Sequence, residues 1–257
     1  MKILLTNDDG PYGPGLCELR RELEVLGEVT VVCPAKERSG VGHAITYLVP
    51  VRACAGRLMD GSPAHLLSGM PADCIKFALL VLMKSPPDLI VSGPNLGTNA
   101  GVHVFYSGTV AAALEGGFYG VPSVAFSTSR ENEADMGPVA AQAMRVLRLL
   151  LDSGLAPGAV INVNIPQLSS AEPEIRVTSQ SADPMIEEYV RFRAPRGRVY
   201  YFLDAAKRPE PPRPGTDVAA LEAGAISVTP LRRHLTDEAA LPRLGNMLTA
   251  IRAKTYD

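Results

Sequence analysis

The chain reads as an α/β protein: a mostly parallel sheet flanked by helices, with a protruding β-hairpin arm in the C-terminal half. Three observations predict this. Over residues 2–165, short apolar runs rich in β-branched residues alternate with segments of helical spacing, the β-α-β order that builds parallel sheets. The strand-like runs centre on consecutive apolar residues, such as Ile3-Leu4-Leu5 and Leu89-Ile90-Val91, as buried strands do. After about residue 170 the alternation stops, and strand-like stretches follow one another without helices between them.

Residues 2–7 read as the first strand. Residues 14–26 carry apolar side chains at helical spacing, with Pro14 near the start and Gly27 past the end. Residues 28–33 form a second strand that Pro34 stops. Residues 36–46 are polar and glycine-rich, hence a loop, and 47–54 are expected to be extended. Residues 72–83 read as a helix, 88–92 as a strand closed by Gly93-Pro94, and 93–108 as loop. A helix over 109–119, a strand over 121–126, an amphipathic helix over 136–151 and a buried strand over 159–165 follow. Strand-like stretches at 175–178 and 199–203 frame an arginine-rich run at 190–198, and a proline-rich run lies at 208–215. Together they predict an arm at about 180–214 projecting with a loose tip, not a second core. A return over 215–257 supplies a short helix near 216–223, a strand over 225–229 and a terminal helix from about Thr236. Residues 1–257 are thus expected to be one domain.

The formal net charge of −2 provides no basic field to draw the chain to duplex nucleic acid or a membrane, so a small-molecule partner is the expectation. No apolar run is long enough to span a bilayer. Met1-Lys2-Ile3 enters a strand at once and lacks the architecture of a signal peptide. The cysteines at 17, 33, 54 and 74 include no C-x-x-C pair. They are expected to be buried free thiols in a reducing cytoplasm, against a zinc site.

The chemistry gathers at strand ends. Asn7-Asp8-Asp9-Gly10 puts two adjacent carboxylates where a core strand emerges. Like charges beside a low-dielectric core repel. A divalent cation such as Mg2+, Mn2+ or Ca2+ is the simplest compensation, and a solvated Asp-Gly turn is the other reading. In open parallel sheets ligands bind beyond the carboxyl ends of the strands. The loops around Ser39 and Asn95 fall there too, adding a hydroxyl and an amide carbonyl to Asp8 and Asp9. Ser107-Gly108-Thr109 opens a predicted helix. Its backbone N–H groups and hydroxyls make a phosphate cradle, or serve as an ordinary N-cap.

Other chemistries lack their residues. The glycines at 10, 13 and 15 do not spell G-x-G-x-x-G, and no G-x-x-x-x-G-K-[ST] is present. Asp-Asp instead of Asp-x-Asp disfavours a covalent aspartyl-phosphate. No G-x-S-x-G elbow supports a serine hydrolase. His43, His65, His103 and His234 do not pair at metal-binding spacing; His43 and His103 fall in loops of the expected crevice.

Four stretches resemble the SurE family of 5'/3'-nucleotidases: ILLTNDDGPYGPGL at 3–16, CPAKERSGVGHAIT at 33–46, GMPADCIKFAL at 69–79 and VSGPNLGTNAGVHVFYSGTVAAALEG at 91–116. A weaker echo lies at 215–231. The resemblance implies a Rossmann-like domain with a swapped arm, assembled as a homodimer or homotetramer. It implies a metal-dependent phosphatase cleaving nucleoside monophosphates, in some members also shortening polyphosphate. Carried over by position, Asp8, Asp9, Ser39 and Asn95 hold one divalent cation per subunit, and Asn99, Ser107, Gly108 and Thr109 contact phosphate. Asp8 or Asp9 also handles the attacking water. A non-catalytic nucleotide or metal sensor on the same fold is the alternative, and a nucleotide-sugar transferase a further rival.

Overall fold

The computed structural model describes residues 1–184, 186–206 and 211–255. Its organising strand is β1 (Lys2–Thr6), flanked in parallel by β2 (Glu28–Pro34) and β5 (Leu89–Leu96). Outward from β2 come β4 (Pro63–Leu67), parallel, and β3 (Ala53–Arg57), an antiparallel edge. Outward from β5 come β6 (Ser123–Thr128) and β7 (Val160–Ile165), both parallel. Then β11 (Ile226–Leu231) pairs antiparallel with β7 and in parallel with β8 (Ile175–Val177). The nine-stranded order is β3-β4-β2-β1-β5-β6-β7-β11-β8.

The two-residue period of a strand explains the layers. In β1, Ile3 and Leu5 point to one face and Leu4 to the other, and all three are fully buried. Ile3 and Leu5 pack beneath α1 (Leu16–Glu24) and α4 (Gly137–Asp152), among Leu19, Leu23, Val139 and Leu147. Leu4 meets α2 (Pro71–Phe77) and α3 (Gly108–Phe118) through Ile75 and Ala112. Each large side chain so buried contributes about 1.5–3 kcal/mol.

Several elements differ from the sequence reading. The strand expected over 47–54 is β3 at Ala53–Arg57, with residues 47–52 irregular, and β4 was not foreseen. The helix read to 83 is α-helical only to Phe77; Ala78–Leu82 opens into a wider π turn that closes with Met83 N–H donating to Ala78 O. Gly93-Pro94 does not close β5. The strand slips register there, with Gly93 at φ 113°, and re-pairs at Asn95↔Ser127. The terminal helix α6 (Leu241–Thr255) starts later than Thr236, because Asp237 accepts from Ala239 N and Ala240 N in a preceding turn. All four cysteines are free, but Cys54 is exposed, since it lies on the edge strand β3.

The arm is an antiparallel hairpin of β9 (Ile186–Arg193) and β10 (Val199–Ala206), separate from the main sheet. Its tip is a turn at 194–197, where Gly197 N–H donates to Ala194 O. The proline-rich run returns toward the sheet instead; its residues 208–210 lie outside the described residues. Tyr189, Phe192, Tyr201 and Phe202 are exposed on the hairpin.

Behind the arm, α5 (Asp217–Glu222) braces the loop after β5. Asp217 is fully buried and accepts from Gly101 N at 2.8 Å and Ser181 N at 2.9 Å. Asp217→Ala leaves two buried N–H groups without an acceptor, each costing about 1–3 kcal/mol. We expect a loss of about 2–4 kcal/mol in urea unfolding, and an unchanged midpoint would refute the brace.

Candidate active site

Because β2, β1 and β5 are neighbours, the loops that leave their carboxyl ends emerge side by side. They enclose a crevice of about 430 Å³ whose walls include Asp8, Ser39, Asn95, Asn99 and Ser107. Asp9, Gly108 and Thr109 sit against this set but do not line the opening.

The turn after β1 is closed by Asn7. Its Nδ2 donates to Gly10 O at 2.8 Å, and Gly10 N donates to its Oδ1 at 3.1 Å. Gly10 takes φ 81°, a left-handed conformation costly for residues with a Cβ. A Cβ at Gly13 would lie 2.5 Å from Asn7 Nδ2 and 2.7 Å from Asp9 Cβ, so the returning chain can press on the pair only as glycine.

Asp8 is 3% exposed. Thr109 Oγ1 donates to its Oδ1 at 2.6 Å, and its backbone O accepts Arg38 N at 2.7 Å. Thr109 therefore orients Asp8 with the hydroxyl that the sequence reading directed at phosphate. Burial raises the Asp8 pKa; the Thr109 hydroxyl and backbone work against that rise, and the Glu37 charge adds to it. Asp9 is pushed up to about 7, first by burial, then by the charges of Asp8 and Glu37, with Arg130 opposing. Its Oδ2 is buried and has no hydrogen-bond partner.

Ser39 Oγ donates to Glu37 Oε1 at 2.8 Å, which leaves its lone pairs unused by that bond. Asn95 Nδ2 donates to Gly97 O at 2.6 Å, so its carbonyl oxygen faces the other way. Asn99 is fixed at both ends: its N–H donates to Asn164 Oδ1 and its O accepts Asn162 Nδ2. Its side-chain Nδ2 spends one hydrogen on Ser127 Oγ, leaving the second for a ligand. Ser107 caps α3 by accepting Val110 N at 3.0 Å, so its hydroxyl hydrogen stays available to donate. A Cβ at Gly108 would lie 3.0 Å from Asp8 Oδ2, so a side chain there would push the carboxylate back by a few tenths of an ångström.

The donor set is all oxygen: Asp8, Asp9, Ser39 and Asn95. Among the described residues no group of three or more His, Cys, Asp or Glu is placed to hold a metal ion, so any cation here would draw on the hydroxyl and amide oxygens as well as the two carboxylates. The orphaned Asp9 oxygen beside a second buried carboxylate fits a hard divalent cation.

The crevice holds further residues. The turn after β6 contributes Ser129, Arg130 and Glu131, and the segment after β5 contributes Thr98, His103 and Tyr106. The strand-end rule that located Asn95 also points to the loop after β6, and only three loops were counted. The two loop histidines part company. His103 lines the crevice. His43 lies outside it, bonded to the buried Glu115 at 2.9 Å and stacked on Phe118. Lys76 completes that cluster at 2.6 Å from Glu115.

Fold and crevice together define an open α/β protein with a polar ligand site at the carboxyl edge of its sheet. The chain belongs to the SurE family: the family model described as Survival protein SurE matches residues 3–187. It is 44% identical to the 5'-nucleotidase SurE of Syntrophobacter fumaroxidans, covering 95% of this chain and 98% of that one. It is 43% identical to the 5'-nucleotidase SurE of Chloroflexus aggregans, again over 95% and 98%. The crystal structure of the SurE protein from Aquifex aeolicus superposes with a TM-score of 0.80 at 35% identity, covering 96% of this chain and 99% of that one.

Because the folded-state pKa of Asp9 lies above its unfolded value, the folded state binds the extra proton between about pH 4 and 7. Metal-free stability then falls as pH rises through that window, by up to about 4 kcal/mol for a shift of three units. Asp9→Asn removes the titration. We expect thermal melts in EDTA to show the variant more stable than wild type at pH 8 and similar at pH 4. A parallel pH dependence in both proteins would show that Asp9 is not the group responsible.

Proposed function

We propose that this chain is a divalent-metal-dependent phosphomonoesterase that hydrolyses nucleoside 5'- and 3'-monophosphates to nucleoside and phosphate, with polyphosphate a further substrate. The observation that carries the reading is the partnerless Asp9 oxygen beside Asp8, one residue pair away from a helix start that offers N–H and hydroxyl donors. The names of the relatives, 5'-nucleotidase SurE, support the substrate class.

In this reading Asp8, Asp9, Ser39 and Asn95 hold one Mg2+ or Mn2+. When bound, such an ion supplies positive charge to a phosphoryl oxygen and acidifies a water. The chain's own residues do the rest. Ser107 and the free N–H groups at the start of α3 bind the equatorial phosphoryl oxygens, and the second Nδ2 hydrogen of Asn99 joins them. Arg130 at the crevice rim attracts the dianion. Asp8, held by Thr109, stays oriented, while Asp9, near neutral in pKa, is suited to take the proton of the attacking water.

We expect Asp8→Asn to lower kcat/KM on the order of 10³-fold with an unchanged circular dichroism spectrum. The assay is a matrix of 5'- and 3'-nucleoside monophosphates, polyphosphate and p-nitrophenyl phosphate against Mg2+, Mn2+ and EDTA. Turnover that survives EDTA would sink the metal assignment. Nucleotide binding without any turnover would favour the sensor reading.

The exposed aromatic residues of the hairpin support assembly as a homodimer or homotetramer through the arm. Light scattering of wild type and of Tyr201→Asp/Phe202→Asp should show the variant shifted to a smaller species. Identical masses would remove the arm from the interface.

A further inference from the structure

We propose that His103 is the general acid for the leaving nucleoside, and that the cleft beyond it receives that nucleoside; this rests on the phosphomonoesterase reading above. The crevice continues into a second opening of about 290 Å³, and the two share Thr98, His103, Ser129 and Glu131. His103 therefore stands at the junction between the phosphate end and the space next to it. Its position is fixed by the 3-10 turn Gly101–Phe105, whose Gly101 N–H is anchored on buried Asp217. Among the described residues the imidazole takes no hydrogen bond, so its ring nitrogens are uncommitted.

The cleft has the chemistry of a nucleoside site. Pro166, Val218 and Leu221 provide apolar walls for a base or sugar face, and Gln167 adds an amide for polar edges. Crevice and cleft, about 430 and 290 Å³, together fall within the usual range of ligand sites, roughly 300–1,000 Å³. A larger apolar cavity of about 450 Å³ lies on the other side of the Gly101–Tyr106 segment. It meets the crevice only at Ser107, so a nucleotide with its phosphate beside Asp8 reaches the cleft more directly.

Phosphate ester hydrolysis from a nucleotide expels an alkoxide, a poor leaving group that needs a proton as the bond breaks. Water adds its oxygen to phosphorus, and the bond from phosphorus to the sugar oxygen breaks. The freed electron pair takes the proton of imidazolium His103, giving the nucleoside hydroxyl. The proton shed by the attacking water returns to the imidazole through solvent, so the cycle balances with water as the sole co-reactant.

The test compares a poor with a good leaving group. In His103→Gln, kcat/KM for a 5'-nucleoside monophosphate should fall on the order of 10²–10³-fold. For p-nitrophenyl phosphate, whose phenolate leaves unaided, it should fall less than about tenfold. Retained aryl phosphatase activity shows at the same time that the variant is folded. Equal losses on both substrates, or full activity on the nucleotide, would overturn the acid role. For the cleft, Gln167→Ala should raise KM for the nucleotide several-fold and leave inhibition by inorganic phosphate unchanged; an unaltered KM overturns that half. Wild-type protein inert toward both substrates would bring down the phosphomonoesterase reading itself.

Discussion

Two carboxylates on consecutive residues just past a strand buried from Ile3 to Thr6 are the constraint on which the site depends. Ile3, Leu4 and Leu5 cannot relieve them, because these side chains are committed to the two apolar layers. An extended chain would send Asp8 and Asp9 to opposite faces of the sheet. The Asn7–Gly10 hydrogen bonds turn the chain instead, and the left-handed Gly10 makes the turn inexpensive. Close backbone approach does the remaining work. Gly13 lies against Asn7 and Asp9 at distances that exclude a side chain, and Gly108 lies against Asp8 with room for a Cβ only if the carboxylate gives way.

The two acids are not equivalent, and their surroundings explain the difference. Asp8 is the more buried but has a hydroxyl donor in Thr109, which favours its ionised form. Asp9 has no hydrogen-bond donor to its buried oxygen and feels the charge of its neighbour. Burial raises both carboxyls above the ordinary range, and Asp8 alone has a side-chain donor working against the rise. Carboxyl groups perturbed in this way cluster at functional sites. The chain tolerates this arrangement because the large cores on both faces of the sheet outweigh one strained corner.

Much of this was legible in the sequence. The apolar runs of β1, β5 and β7 and the helical spacing of α1 and α4 located the parallel half, because periodicity survives whatever the tertiary packing. The meeting of residues 8, 39 and 95 in one crevice was legible because strand ends in such sheets converge. The misses have physical causes. β4 is short and begins with proline, so its propensity is weak. β5 runs through Gly93-Pro94 because a register slip absorbs a residue pair that ordinarily ends a strand. Ser129, Arg130 and Glu131 follow β6 in a stretch with the composition of any surface turn; only the sheet order makes it a neighbour of Asn95. The bond from the Thr109 hydroxyl to Asp8 was not legible, because a hydroxyl at a helix start can face a ligand or a neighbouring side chain, and only the position of Asp8 decides.

The strand order also explains how segments late in the chain hold the loops of a crevice they do not line. The loop after β5 leaves the sheet past Leu96 and has no regular structure until Gly101. Its backbone is satisfied by side chains from later in the chain: Asn162 and Asn164 on β7 bind Asn99, and Asp217 on α5 binds Gly101. The loop that carries Ser39 is held differently. Arg38 N–H reaches Asp8, Gly42 N–H reaches Tyr106, and Thr46 N–H reaches Asp73. Those partners are scattered, and Ser39 itself is exposed. Local stability follows burial and the number of protected hydrogen bonds. Asp8 and Asn95 therefore form the fixed side of the crevice, and the Ser39 loop forms the side that opens at least cost.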